Sequence, residues 1–149
     1  MRLGARGRYA VMAMTDLASR ESALGDGRAV ALADIAARQE ISLSYLEQLF
    51  SRLRRRGLVI SARGPGGGYR LAKGAADTMI SEIVLAVDEP LRATRCSAKS
   101  MRGCMSKGER CMTHHLWEEM GRQIQGYLAS VSLADVLEGR LGDAATVAA

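Results

Sequence analysis

The chain has 149 residues, of which 48% are hydrophobic and 25% charged, and its formal net charge is +5. These proportions belong to a globular chain, not a disordered one, and no run of eighteen apolar residues is present to cross a membrane as a helix. The charge is uneven: residues 1–73 hold thirteen Lys/Arg against six Asp/Glu (+7), and residues 74–149 hold eight against ten (−2).

A basic N-terminal part joined to a slightly acidic one fits a surface facing nucleic acid, although charge alone equally fits a basic protein with no polyanion partner. Residues 1–8 show neither an apolar core nor a small-residue cleavage site, so a secretory signal is not expected. The cytoplasm is the default location. Cysteines there stay reduced and serve more often as ligands or redox groups than as disulfides.

Arg8 to Ser19 is dense in helix formers and free of Gly and Pro, which predicts a buried first helix. Leu24-Gly25-Asp26-Gly27 reads as a turn, and Leu32 to Arg38 as a short helix. Ser42 is placed to cap the next helix through the N–H of Ser44 or Tyr45, with Ile41 and Leu46 spaced as a hydrophobic staple. Leu46, Leu49, Phe50 and Leu53 then form one apolar stripe, opposite a polar side that includes Ser44, Tyr45, Glu47, Gln48 and Arg52. Gly57 is expected to end that helix.

Two short β-like runs, Leu58 to Ala62 and Tyr69 to Leu71, flank Arg63-Gly64-Pro65-Gly66-Gly67-Gly68, a hairpin with a glycine-rich tip. Ser81 to Asp88 predicts another short helix. Pro90 to Arg110 has no periodicity and is expected to be an irregular loop. Thr113 to Val131 predicts a long amphipathic helix, followed by a cap at Ser132 and Asp135 and a short helix from Leu133 to Leu137. The tail after Gly142 is expected to be frayed.

Two short helices, a tight turn and a hairpin in that order form a winged helix-turn-helix. This motif lays its second helix in the major groove, with the N-terminal side chains against base edges. Ser44, Tyr45, Glu47 and Gln48 occupy that end. Gln pairs bidentately with adenine, and Glu accepts from cytosine N4. Arg52 and the run Arg54-Arg55-Arg56 lie where phosphates are expected. Arg63, beside glycines that leave little bulk, is placed to enter a narrow minor groove. A phosphate-binding loop is disfavoured, because no Gly-Lys-Ser/Thr follows and the chain returns into a strand.

Cys96, Cys104, Cys111 and His114 form the second constellation, with seven, six and two residues between successive members. Thiolates with one imidazole suit zinc or an iron–sulfur cluster, and spacing alone does not choose between them. Arg95, Lys99, Arg102, Lys107 and Arg110 would partly offset the charge of an anionic centre, and His115 is expected at the surface. The apolar stripe of the long helix, from Leu116 to Val131, is too wide for a small domain to cover alone. This predicts pairing with a second copy across a twofold axis that matches a palindromic site in duplex DNA.

The strings Arg6 to Val11, Ile41 to Phe50, Arg63 to Tyr69, Ala86 to Glu89, Thr94 to Cys96 and Cys111 to His114, leading to Leu116-Trp117, resemble the IscR family of bacterial iron–sulfur cluster regulators. The resemblance covers about residues 1–140. It implies a mainly α fold with three parts. These are a winged helix-turn-helix domain over 1–80, a cluster-binding loop and dimerisation helices over 81–142, and a flexible tail over 143–149. It implies a cytoplasmic homodimeric repressor, with no enzymatic activity and no membrane association, that receives a 2Fe–2S cluster from the assembly machinery and controls the assembly genes.

The ligands implied are Cys96, Cys104, Cys111 and His114, and the DNA contacts Ser42, Ser44, Tyr45, Gln48 and Arg63. Glu47 is implied to disfavour one class of site until the cluster is bound. The gaps between cysteines are longer than the five residues the family pattern leads one to expect. Longer loops cost only about 0.6 kcal/mol per doubling, so ligation is expected to survive. Two other readings compete: a nitric-oxide or redox-sensing relative with a 4Fe–4S cluster, and, from a different class, a zinc-bearing RNA-binding module. The latter leaves the wing unexplained.

Overall fold

The computed structural model describes residues 4–25, 27–87 and 103–142. Within them the elements run α1 (Ala5–Leu24), α2 (Leu32–Gln39), α3 (Leu43–Arg55), β1 (Val59–Ala62), β2 (Gly68–Leu71), α4 (Ile80–Ala86), α5 (His114–Ser130) and α6 (Leu133–Glu138). A 3-10 turn at Ala75–Asp77, not among the expected elements, precedes α4. The class and order are those expected, although α1 extends at both ends beyond Arg8–Ser19.

The turn between α2 and α3 is closed by a left-handed residue. Glu40 sits at φ 54°, and Ile41 N–H reaches back to the Ala36 carbonyl at 3.1 Å. Ser42 then caps α3, its Oγ accepting from Tyr45 N–H at 3.2 Å. Gly57, at φ 74°, ends the helix. Its N–H bonds the Arg54 carbonyl, and Leu58 N–H bonds that of Leu53, both at 3.0 Å. That pair of bonds is the Schellman closure, and the residue after the glycine, Leu58, is buried as the motif favours.

α1 is the central post. Ala10, Ala13 and Ala18 are small and fully covered, which lets the neighbouring helices approach closely, while Met14 and Leu17 fill the space between. The α3 stripe of Leu46, Leu49, Phe50 and Leu53 lies in the same core. Each such side chain contributes about 1.5–3 kcal/mol on burial, so α3 is held by its inner face and its outer face is free of that duty.

β1 and β2 pair antiparallel, with Val59 opposite Leu71 and Ala62 opposite Gly68. Val30, from the α1–α2 connection, adds a bridge to Tyr69 on the far side of β2, with bonds of 2.9 and 2.8 Å.

The C-terminal part returns to the same core. Ile80 N–H bonds the Val131 carbonyl, Leu133 N–H bonds that of Thr78, and Val131, Leu133, Ile83, Val84 and Val87 are buried alongside α1. The apolar packing therefore runs unbroken past residue 80. Ser132 and Asp135 cap α6 reciprocally at 3.1 and 3.0 Å. Among the described residues no helix is long and apolar enough to cross a membrane. The tail 143–149 lies outside the described residues.

Candidate functional site

With Ser42 as cap, the first two turns of α3 present Ser44, Glu47 and Gln48 outward, and all four side chains are exposed. Tyr45 and Arg52 are half-buried. The Tyr45 ring meets Tyr9 of α1 edge-on, with centroids 5.9 Å apart. Tyr9 thus buttresses one of the expected DNA contacts, a role invisible at a separation of thirty-six residues. The arginines at the end of α3 are partly engaged within the protein: Arg54 Nη1 reaches Ser61 Oγ at 3.5 Å, and Arg55 Nη2 reaches Ser51 Oγ at 3.3 Å.

The wing projects Arg63, exposed, from the end of β1. Pro65 and Gly66 occupy the centre of a tight turn closed by Gly67 N–H on the Gly64 carbonyl at 2.8 Å, with Gly66 at φ 74° as a type II turn requires. Several contacts fix the wing to the body. Phe50 on the inner face of α3 meets Tyr69 at 5.0 Å between centroids. The Glu21 carboxylate accepts from Leu71 N–H at 2.8 Å. Gly68 lies flat against the Val30 backbone, where a Cβ would collide with the carbonyl. Neither Glu21 nor Val30 carried a readable signal in the sequence.

The other constellation is only partly within the described residues. Cys96 lies outside them, as do Arg95, Lys99 and Arg102. Residues 103–109, expected to be irregular, fold into a tight turn. Gly103 N–H bonds the Gly108 carbonyl at 2.8 Å, and Met105 N–H bonds that of Glu109 at 2.9 Å. This turn takes up much of the long gap between Cys104 and Cys111.

Cys104 Sγ thereby lies 3.0 Å from Nδ1 of His114. His114 opens α5 and is 4% exposed, so the imidazole is held in place while its sulfur neighbour is half-buried. Cys111 opens a second turn that leads into α5, its carbonyl accepting from His114 N–H at 3.1 Å. Its Sγ lies 3.7 Å from Thr113 Oγ1. Among the described residues, three ligand-type groups do not gather at one point.

On the far side of the imidazole, Glu118 Oε2 stands 3.9 Å from His114 Nε2 and 3.6 Å from His115 Nδ1. His115 itself is exposed, as expected. Thr113 with Trp117, and His114 with Glu118, are both i,i+4 pairs, a signal that could have marked them.

A protein-family description, Rrf2, iron-dependent transcriptional regulator, matches residues 3–139. The chain is 51% identical over 140 residues to the HTH-type transcriptional regulator IscR of Photorhabdus laumondii, covering 94% of this chain and 81% of that one. It is 49% identical, over 94% of its length and 82% of the relative's, to the regulator of that name from Escherichia coli O1:K1. Among solved structures it is similar to IscR of T. potens, with a TM-score of 0.71 and 32% identity, covering 99% of this chain and 96% of that one. It also resembles CymR, the global cysteine regulator of B. subtilis, with a TM-score of 0.74 and 27% identity over 93% of this chain and 97% of that one.

Proposed function

The chain belongs to the Rrf2 family of iron-dependent transcriptional regulators and is a DNA-binding regulator; from that premise we propose that it senses iron–sulfur status through a 2Fe–2S cluster and controls cluster-assembly genes, mainly as a repressor. The observation that carries this reading is the meeting of Cys104 Sγ and His114 Nδ1 at 3.0 Å, at the junction of a loop and a rigid helix. A soft thiol and an imidazole fit iron–sulfur ligation, with Cys111 in the turn that enters α5 and Cys96 as the fourth donor. When bound, the cluster would supply a redox-active and labile centre whose presence reports cluster supply.

On DNA, α3 lies in the major groove and Ser42, Ser44, Tyr45, Glu47 and Gln48 face base edges, while Arg52 meets phosphate and Arg63 enters the minor groove. Glu47 can only accept hydrogen bonds, so it penalises any site that sets a base acceptor or a phosphate against it. A small shift of α3 is enough to relieve that penalty, which gives cluster-dependent choice between sites.

The partner in this binding is a second copy of the chain on a palindromic operator. Leu116 and Tyr127 are exposed and Met120 half-exposed along one side of α5, beside Trp117. That stripe at helical spacing supports pairing through α5. The protein acts in the cytoplasm, where it receives its cluster from the assembly machinery.

Anaerobic purification followed by absorption spectroscopy and iron and sulfide analysis tests the cofactor. Binding to duplex sites with and without the cluster tests the sensing. A visible chromophore and a cluster-dependent affinity for at least one class of site are expected. Colourless protein with stoichiometric zinc, or equal affinity for every duplex after the cluster is removed, overturns the proposal.

A further inference from the structure

We propose that Thr113 is a positioning residue for the metal centre: its hydroxyl, turned by the indole of Trp117, donates a hydrogen bond to the sulfur of Cys111. The inference rests on the reading above that Cys111 is a cluster ligand, and it assigns a task to two residues that have none there.

The direction of each bond follows from chemistry. Trp117 Nε1 lies 3.0 Å from Thr113 Oγ1, and an indole nitrogen can only donate. The hydroxyl therefore spends a lone pair on Trp117 and keeps its one hydrogen for another acceptor. Cys111 Sγ, 3.7 Å away, is within hydrogen-bonding reach of a large sulfur atom. A metal-bound thiolate has no proton to give, so in the ligated state Thr113 is the donor of that contact.

Among the described residues the hydroxyl is not otherwise committed. Thr113 is the residue that precedes α5, yet its side chain makes no capping bond. Its backbone carbonyl serves the helix instead, accepting from Leu116 and Trp117 at 3.1 and 3.3 Å. A threonine that starts a helix without capping it, and whose hydroxyl lies between an indole and a ligand thiol, is arranged as an outer-shell group to the sulfur.

Hydrogen bonds to ligand sulfurs draw off negative charge and favour the reduced form of the centre, raising its reduction potential. Trp117 is the single tryptophan of the chain and is part-exposed on α5, so its emission reports the same contact.

The test uses the full-length, cluster-loaded protein and its Thr113→Val, Thr113→Ser and Trp117→Phe variants, each checked for helix content by circular dichroism. Valine keeps the branched shape and removes the hydroxyl without removing a cap. The reduction potential is expected to move to more negative values in Thr113→Val and to return in Thr113→Ser. Trp117→Phe, which frees the hydroxyl to rotate, is expected to fall between valine and wild type. In cluster-free protein, tryptophan emission should shift in Thr113→Val alone of the two threonine variants.

Equal potentials in wild type and Thr113→Val, with the cluster loaded in both, overturn this inference and leave the sensing proposal standing. A lowered potential that serine does not restore also overturns it, since shape and not the hydroxyl would then be responsible. Wild-type protein that takes up no cluster overturns both.

Discussion

Arg38 on α2 clasps Asp16 on α1 with two parallel bonds, Nε to Oδ2 at 3.0 Å and Nη2 to Oδ1 at 2.7 Å. Gln39 Nε2 adds a third at 2.8 Å, so the carboxylate fixes the first helix of the DNA-reading pair to the central post. Burial pushes Asp16 upward, but the hydrogen bonds and charge of Arg38, with Gln39, outweigh it and hold the carboxyl below its ordinary value. A depressed carboxyl contributes stability that is present above its unfolded-state value and lost as pH falls through the folded one.

Asp16→Ala is expected to destabilise the protein by about 1.5–3 kcal/mol near neutral pH, at the low end because Arg38 is part-exposed and can turn to solvent. The gap from wild type should close as pH falls below the ordinary carboxylate range. Urea unfolding at several pH values measures it, and a gap independent of pH contradicts the account.

Glu40 holds a left-handed conformation that costs an L-residue roughly 1–2 kcal/mol and glycine very little. Part of that gain is returned through the freer unfolded chain of glycine. Glu40→Gly is therefore expected to raise stability by about 0.5–1 kcal/mol, read as a higher denaturant midpoint with an unchanged slope. Its exposed side chain is outside the proposed DNA contacts, so duplex affinity should stay level.

Gly68 admits no side chain because β2 lies directly on the Val30 carbonyl. Gly68→Ala should force β2 away from the Val30 segment and release the wing, while the buried helices stay folded. The expected readout is a loss of about 1–3 kcal/mol in duplex affinity with near-native helical circular dichroism. Full affinity in that variant would show that the wing needs no fixed angle.

Arg63→Ala tests the wing from its charged end. It should weaken operator binding by about 1–3 kcal/mol and lower the slope of affinity against salt by about one. Unchanged affinity and slope would remove Arg63 from the interface.

Much of the reading-head was legible in the chain because its signals are local. Ser42 caps, Gly57 stops, and the stripe of Leu46, Leu49, Phe50 and Leu53 repeats at helical spacing, so one contiguous segment specifies both the helix and its outward face. The ligand candidates were legible by residue type, since three cysteines and a histidine within nineteen residues form a conspicuous set. Cys96 and the tail after Gly142 fall outside the described residues.

Residue type and spacing along the chain determined the helices, the hairpin and the identity of the soft donors, since capping, periodicity and turn chemistry act over a few residues. Folding decided which distant groups meet: Tyr9 with Tyr45, Glu21 with Leu71, Asp16 with Arg38, and Cys104 with His114 across the closed turn at 103–109. Those contacts depend on how whole elements pack about α1. That packing is set by the summed fit of many apolar side chains, which no short stretch of sequence encodes.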